Sequence, residues 1–292
     1  MKYAFIKEHS GQCPVILMAE QLNVSTSAYY RWCNQPITSS MRRRNRNDQL
    51  IKKIFAEHKG RYGAVRIAEE LAEVHGVHLK RQTVSNHMAR LGLVSKASRK
   101  FKVTTDSNHK KSVAPNLLDQ NFSATAPNQK WVTDITYIPT THGWLYLCVV
   151  IDLYSRKVVG WAMSKRINRY LVCNALLMAL WKRRFPKGVI VHSDRGSQYC
   201  SKAYQDLIKV HGLKCSMSGK GCCYDNAACE SFFGTLKVDL VHSETYQTRS
   251  QAKSSIFEYI EAYYNLKRRH SAINYVTPNQ FEDNMKMLAD IA

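Results

Sequence analysis

The spacing of apolar residues changes along the chain. Over the first third, apolar residues recur at helical intervals, as in the run through Ile67 and Leu71 that ends near Gly76. From residue 130 onward, short runs rich in aromatic and β-branched residues predict strands, beginning with KWVTDITYI at Lys130–Ile138. The polar stretch 103–129 that separates the two patterns is interpreted as a linker, because it is rich in Lys, Ser, Asn and Pro.

Two small helical modules are predicted before the linker, over 1–40 and 41–102. In the first, Ser25 can cap a helix that follows a short turn, which gives helix–turn–helix spacing. Any small helical hairpin has the same pattern, so both interpretations stay open. The second module predicts two helices, the later of which ends at Gly92. The polar side of that helix presents Arg81, which suits DNA phosphates or base edges, with a solvated helix face as the alternative.

The segment 130–292 predicts a mixed sheet. In chain order, the expected elements are strands over 130–138, 144–151 and 157–164, a helix over 169–185, a strand over 189–193, a helix over 201–210, a strand over 214–217 and a helix from Asp225 to about Leu240. Three sequential strands followed by alternating helices and strands are the layout of a ribonuclease-H-like fold. The predicted fold class is therefore α/β: a ribonuclease-H-like mixed-sheet core preceded by two small all-helical helix–turn–helix-like modules.

The charge balance indicates a polyanionic partner. Lys and Arg number 43 against 22 Asp and Glu, a net charge of +21. A field of this size attracts nucleic acid, since each phosphate that is neutralised releases counterions. A generic basic surface or an association with RNA would give the same balance, so charge alone does not say which nucleic acid is bound.

Membrane and zinc classes are disfavoured by the sequence. No apolar run approaches the roughly 20 residues that a membrane-spanning helix needs, and the N-terminal residues do not form a signal peptide. The nine cysteines include no CxxC pair, which argues against structural zinc. We therefore expect a cytoplasmic protein without a membrane partner.

Three acidic residues occupy different predicted elements. Asp134 lies within the first strand, Asp194 directly follows the strand over 189–193, and Glu230 lies in the helix after Asp225. Taken singly, each has a more ordinary explanation, as the partner of a buried base, a turn former or a solvated helix residue. Taken together, they match the carboxylate oxygens that Mg²⁺ or Mn²⁺ prefers, and two such ions about 4 Å apart can promote displacement at phosphorus. Asp152, at another strand end, is interpreted as a turn or sheet-supporting residue.

The spacing of these acids resembles a known signature. Asp194 and Glu230 are separated by 35 residues, as in the Asp, Asp-35-Glu pattern of retroviral integrases and related transposases. The surrounding segments resemble the second reading frame, OrfB, of a large bacterial insertion-sequence family: HSDRGSQYCS (192–201), SMSGKGCCYDNAACESFFGTLK (216–237), YNLKRRHSAINYVTP (264–278), VSTSAYYRW (24–32) and RYGAVRI (61–67). The resemblance covers nearly the whole chain.

The resemblance implies a DNA transposase that performs metal-dependent phosphodiester cleavage and strand transfer. In this family, water first frees a 3′ hydroxyl at the element end, and that hydroxyl then attacks another phosphodiester. Carried over, Asp134, Asp194 and Glu230 are the catalytic and metal-binding residues, for two ions of Mg²⁺ or Mn²⁺. The expected DNA contacts are Lys237, Arg195, Arg268 and Arg269, with a surface charge as the equal alternative for each of the three arginines, and Arg81 is added from the helix face described above. The loop 219–223 would be a mobile flap beside the site.

The resemblance also implies partners. These are DNA, as element ends and target, further copies of the chain in the active complex, and an upstream OrfA segment or fusion that supplies a leucine zipper. No sustained heptad repeat occurs in this sequence. Association with the nucleoid would follow from DNA binding. Two alternatives remain: a ribonuclease-H-like nuclease that only hydrolyses, and a DNA-binding regulator with a degenerate core.

Overall fold

Three short helices form the first module of the computed structural model, which describes residues 2–34, 38–96, 114–118, 121–219 and 226–291. They are α1 (Lys2–His9), α2 (Val15–Gln21) and α3 (Thr26–Cys33). The Ser25 hydroxyl accepts a hydrogen bond from the Ala28 amide, so the predicted cap of α3 is confirmed. Helix α1 was not predicted, because a single buried residue, Ile6, is too weak a periodic signal.

The second module is a three-helix unit: α4 (Ser39–Glu57), α5 (Ala64–His75) and α6 (Arg81–Arg90). Gly76 ends α5 with a φ of 62°, which favours glycine, and so confirms the predicted helix end. No helix is predicted at α4, because the arginine-rich first half of this segment hides the apolar periodicity of the second half. The apolar face of that second half is buried against α5 and α6 through Ile51 and Ile54.

Five strands form one mixed sheet: β1 (Lys130–Ile138), β2 (Leu145–Asp152), β3 (Val158–Ser164), β4 (Ile190–Ser193) and β5 (Lys214–Met217). Their order is β3-β2-β1-β4-β5. The first three strands are antiparallel neighbours, whereas β4 runs parallel to β1 and β5 parallel to β4. This is the predicted ribonuclease-H-like arrangement, and the strand boundaries differ from the prediction by one residue at most.

Helices cover both faces of the sheet. They are α7 (Arg169–Lys182), α8 (Lys202–Val210), α9 (Ala227–Asp239), α10 (Arg249–Phe257) continued by a π-helical turn (Glu258–Tyr264), and α11 (Pro278–Ile291). Successive residues of a strand point to opposite faces. Trp131 of β1 accordingly packs with α7 and α8, whereas Val132 packs with α9, α10 and the π-helical turn. A Cβ on Gly160 of β3 would lie 2.3 Å from the Ala175 carbonyl oxygen, so glycine permits the close approach of α7.

The second helical module packs directly on the core. The Tyr62 hydroxyl donates to the Lys267 carbonyl at 3.0 Å and accepts from the Arg269 amide at 2.9 Å. The Arg61 guanidinium and the Lys96 ammonium both donate to the backbone carbonyl of Asp239, at 3.2 and 2.9 Å. We call this contact region the seam.

Part of the predicted linker is built into the core. Within the described stretches 114–118 and 121–129, Leu118 is fully buried, and the Pro115 carbonyl accepts from the Met217 amide of β5 at 3.3 Å. Residues 103–113 lie outside the described residues. In the part of the chain that the structure describes, no helix is both long and apolar enough to cross a membrane.

Candidate active site

Asp134 lies at the centre of β1 and is half-buried on the sheet face that α9 covers. Its carboxylate Oδ1 accepts a hydrogen bond from the Ile135 amide at 2.7 Å. Burial, and after it the negative charges of Asp194 and Glu230, together raise the pKa of Asp134 to about 8. The Ile135 amide and the Lys237 ammonium oppose it. The three predicted acids therefore lie close enough together for the charges of Asp194 and Glu230 to change the pKa of Asp134.

The parallel pairing of β1 and β4 explains why Asp194 faces the same site. Residue 130 pairs with 190 and residue 132 with 192, an offset of 60 positions. Asp134 and Asp194 differ by the same 60 positions, so continuing this register sets them level on neighbouring strands, about 5 Å apart in the sheet.

A tight turn orients Asp194. Its Oδ1 accepts from the Gly196 amide at 2.9 Å, and a Cβ on Gly196 would lie 2.9 Å from that same oxygen. A side chain at 196 would therefore push the carboxylate away. No role is predicted for Gly196 from the sequence. An Asp-x-Gly turn directly after a buried strand is nevertheless a visible sequence signal for this position.

Helix α9 carries Glu230 in its first turn, with the side chain exposed. The opposite side of the helix is anchored in the core by Cys229, Phe232, Phe233 and Leu236. Asn226 occupies the N-cap position, and its side-chain Nδ2 donates to the Thr133 carbonyl at 3.3 Å. This hydrogen bond joins the start of α9 to β1 beside Asp134. Asp225, the predicted start of this helix, lies outside the described residues, as do residues 220–223 of the expected flap.

Lys237 lies seven residues beyond Glu230, two turns along α9. Its ammonium nitrogen lies 4.8 Å from the centroid of the Tyr137 ring. Burial lowers the pKa of Lys237, while Tyr137 and Asp134 act in the opposite direction. The positive charge of Lys237 thus lowers the pKa of Asp134, against the effect of burial.

The acid group suits a divalent cation by its donors. Three carboxylates from three elements provide the hard oxygen atoms that Mg²⁺ and Mn²⁺ prefer, and a bound cation would relieve the repulsion that raises the pKa of Asp134. Among the described residues, no three Asp, Glu, His or Cys side chains lie close enough together to hold a metal ion as they stand.

Two of the five predicted DNA contacts, Arg268 and Arg269, are buried. Arg268 is 6% exposed and Arg269 is 3% exposed. The Arg268 Nε lies 2.9 Å from Asp239 Oδ2, and Arg269 is ion-paired with Glu70 and Glu73 of α5. Each guanidinium thus holds a carboxylate inside the seam, and a DNA contact by either residue stays a prediction.

Two further arginines among the predicted DNA contacts are Arg195 and Arg81. Arg195 directly follows Asp194, is half-buried, and donates from Nε to the Ser218 carbonyl at 2.6 Å. Arg81 is exposed at the first residue of α6.

Asp152 is a structural residue, as predicted. It is fully buried at the end of β2 and accepts from the Asn128 and Tyr154 amides, at 2.9 and 3.0 Å. Arg183 lies 3.4 Å from its Oδ2. These donors occupy the carboxylate and leave it outside the acid group.

Known families match most of the chain. Two models of the integrase core domain match residues 124–223 and 230–285, and an HTH-like domain matches 42–101. Transposase InsF for insertion sequence IS3A of Escherichia coli (strain K12) is 47% identical over 285 residues, covering 97% of this chain and 99% of that protein. The insertion element IS600 uncharacterized 31 kDa protein of Shigella sonnei is 43% identical over 272 residues, covering 93% and 100%.

The chain belongs to the InsF family of insertion-sequence transposases. It is a DNA transposase with integration activity, and its integrase-type core is that of a polynucleotidyl transferase. The family resemblance stated from the sequence is confirmed. Among solved structures, the simian T-cell lymphotropic virus intasome matches 80% of this chain and 74% of its own, at 14% identity and a TM-score of 0.44. The family assignment does not depend on that likeness.

Proposed function

We propose that the transposase cleaves phosphodiester bonds at element ends, and joins the freed 3′ hydroxyls to target DNA, at Asp134, Asp194 and Glu230. The observation that supports this most is the charge coupling of the three acids. The pKa of Asp134 is raised to about 8 by burial first, and then by Asp194 and Glu230. Carboxylates whose pKa is shifted by burial and by neighbouring carboxylates are more typical of active sites than of structural ion pairs.

Under this proposal the three carboxylates hold two Mg²⁺ or Mn²⁺ ions. Such a pair, when bound, stabilises charge on the attacking and leaving oxygens of an in-line displacement. The chain's own part is to orient its ligands: the Gly196 amide holds Asp194, and the Ile135 amide holds Asp134. A carboxylate coordinates only after it loses its proton, so Asp134 is the ligand whose occupancy depends most on pH.

Phosphate contacts would come from cations beside the acids. Lys237 projects from the helix that carries Glu230 and interacts with the charge of Asp134, which supports a contact with a terminal phosphate. Arg195, directly after Asp194, is the second candidate. An ammonium acts as a point charge on phosphate, whereas a guanidinium can bind two oxygens at once.

The second helical module would bind DNA away from the acids. Arg81 begins α6, the second helix of the HTH-like pair, which commonly enters a major groove. A groove of about 550 Å³ between α4 and the α5–α6 turn is lined by three more arginines, Arg43, Arg44 and Arg46. This basic lining suits the phosphate backbone next to the site that α6 reads.

The active assembly, we further propose, contains more than one copy of the chain together with an upstream OrfA segment, and associates with the nucleoid through DNA. The support is the family resemblance, in which that segment carries the zipper. Mass measurement of the chain alone, with DNA, and fused to the upstream segment tests this directly. Cleavage and joining by a complex that holds one copy of the chain in total would contradict it.

The test of the acids uses duplexes cut from the DNA that flanks the reading frame, incubated with Mn²⁺. Asp134→Asn, Asp194→Asn and Glu230→Gln should each reduce cleavage and joining by about 1000-fold or more, since each removes a ligand charge. Asp206→Asn, which changes an exposed acid on α8, is the matched control and should keep full activity. Retained cleavage in Glu230→Gln would overturn the assignment, and cleavage without any joined product would favour a hydrolytic nuclease.

A further inference from the structure

Two large aromatic side chains stand exposed at the hairpin between β1 and β2. Tyr137 is 40% exposed and Trp144 is 49% exposed. Their ring centroids lie 5.1 Å apart with an interplanar angle of 86°, so the edge of one ring meets the face of the other. Exposed aromatic surface of this kind is uncommon unless something covers it.

The pair borders the acid site. Tyr137 lies three residues beyond Asp134 on β1, and the Lys237 ammonium lies 4.8 Å from the Tyr137 ring centroid. Lys237 in turn interacts with the charge of Asp134. The sequence of groups from the site outward is therefore carboxylate, cation, tyrosine ring and indole.

The hairpin holds Trp144 in a fixed position. Thr140 and Gly143 exchange backbone hydrogen bonds of 3.2 and 3.0 Å, and Gly143 has a φ of +95° that glycine tolerates. The Arg249 guanidinium donates to the Trp144 carbonyl at 2.9 Å, and the Thr141 amide donates to the Tyr246 carbonyl at 2.9 Å. The aromatic surface is thus preorganised rather than a loose loop tip.

We propose that Tyr137 and Trp144 form a stacking platform for an unpaired nucleobase next to the phosphodiester that the acids act on, with Lys237 on the adjoining phosphate. This rests on the proposed function of the acid group. Aromatic faces bind bases of any sequence, and the cation supplies the backbone contact that single-stranded DNA sites combine with stacking.

An unpaired base fits the platform better than the alternatives. A base inside a duplex has both faces covered by its neighbours, so it offers none to an aromatic side chain. An apolar protein surface would bury the two rings, but it would also cover Lys237 and Asp134, whose charges then lose water without gaining a partner. A nucleotide at a strand end offers a base face and a phosphate together.

The experiment measures binding in the Glu230→Gln background, so that the DNA is not cut. The probe is an element-end duplex with a three-nucleotide 3′ overhang that carries 2-aminopurine, compared with the blunt duplex. Stacking quenches this fluorophore. We expect Trp144→Ala and Tyr137→Ala to weaken binding of the overhang duplex by about tenfold and to lower the quenching, with the blunt duplex bound as before.

Two controls separate stacking from folding. Trp144→Phe keeps an aromatic face and should restore most of the quenching. Trp181→Ala removes a tryptophan that is 70% exposed on α7, away from the platform, and should change nothing. Thermal melting of each variant shows whether it is folded. If Trp144→Ala fails to fold, Trp144→Leu, which keeps apolar bulk without a ring face, is measured in its place with the same expectation.

Each remaining outcome has one meaning. Unchanged affinity and quenching in folded Trp144→Ala and Tyr137→Ala would overturn the platform, while cleavage by the parent enzyme would still support the acid site. A lower oligomeric mass in Trp144→Ala with unchanged quenching would identify a protein interface and also overturn it. If the parent neither cleaves nor joins DNA, the proposed function has failed, and the platform with it.

Discussion

The carboxylates at the two ends of helix α9 have opposite electrostatic surroundings. At the last residue, Asp239 is buried in the seam, where its Oδ2 is 2.9 Å from both the Arg268 Nε and the Tyr259 hydroxyl. In the first turn, Glu230 belongs to the acid group, where its charge and that of Asp194 raise the pKa of Asp134, after burial. One helix therefore carries an acid that is paired with a cation and an acid that acts on other acids.

The difference separates a structural acid from a functional one. Burying a charge costs free energy. At Asp239 the ion pair with Arg268 offsets most of that cost, but only while both partners are present. In the acid group near Glu230, the burial of Asp134 and the charges of Asp194 and Glu230 outweigh the opposing effect of Lys237, so the folded protein carries an unfavourable electrostatic term there. A term of this kind persists where function requires it. Substitutions at the two ends should therefore change stability in opposite directions.

The largest effect is expected at the compensated end. Arg268→Met leaves Asp239 buried without its cation, and should lower the free energy of unfolding by about 3–5 kcal/mol. Urea denaturation at pH 7 measures this directly. Lys253→Met removes an exposed cation from α10 and is the control, expected to stay within about 0.5 kcal/mol of the parent.

A double variant sharpens this prediction. Asp239→Asn together with Arg268→Met removes both charges, so most of the lost stability should return. If Arg268→Met alone is no more costly than Lys253→Met, the seam does not depend on charge compensation, and the contrast between the two ends of α9 disappears.

A smaller effect of opposite sign is expected at the acid group. The pKa of Asp134 in the folded protein, about 8, lies above its ordinary value of 3.8. Between these values the folded state keeps a proton that the unfolded state has lost, so stability is highest at low pH and falls as pH rises toward 8. Without divalent ions, the parent should lose about 2 kcal/mol more than Asp134→Asn between pH 5 and pH 8.

Chelator-treated protein and urea titrations at several pH values give this comparison. Asp206→Asn should follow the parent, because that acid is exposed on α8. Parallel pH profiles for the parent and Asp134→Asn would mean that the repulsion within the acid group is negligible. Mg²⁺ should stabilise the parent more than the variant at pH 8, where the cation replaces the proton.

The acid site was largely predictable from sequence, whereas the seam was not. Asp134 and Asp194 lie on a strand and at a strand end, and the offset of 60 between them is the pairing offset of β1 and β4. That local pattern carries through to three dimensions. Arg268 and Arg269 look like surface charges in sequence, because the carboxylate that Arg269 meets at Glu70 is 199 positions away. Only the docking of one module on another brings them together.

The last and smallest effect tests the charge excess in the seam. His270 is partly buried there, and its Nδ1 accepts from the Ala272 amide at 3.2 Å. Burial, and after it the nearby cations Arg268, Arg156 and Arg66, together lower the pKa of His270 to about 4. A proton added to this ring would be both desolvated and repelled.

The sign at His270 is the reverse of that at Asp134. The folded pKa lies below the ordinary value of 6.5, so the stability that His270 contributes is present above pH 6.5 and is lost as pH falls toward 4. Between pH 7 and pH 5.5 the parent should lose about 1 kcal/mol more than His270→Asn, which keeps an acceptor for the Ala272 amide. His78→Asn, at an exposed histidine, should leave the slope unchanged. Equal acid slopes for the parent and His270→Asn would show that the seam tolerates another positive charge, and that its cations are balanced by Asp239, Glu70 and Glu73 alone.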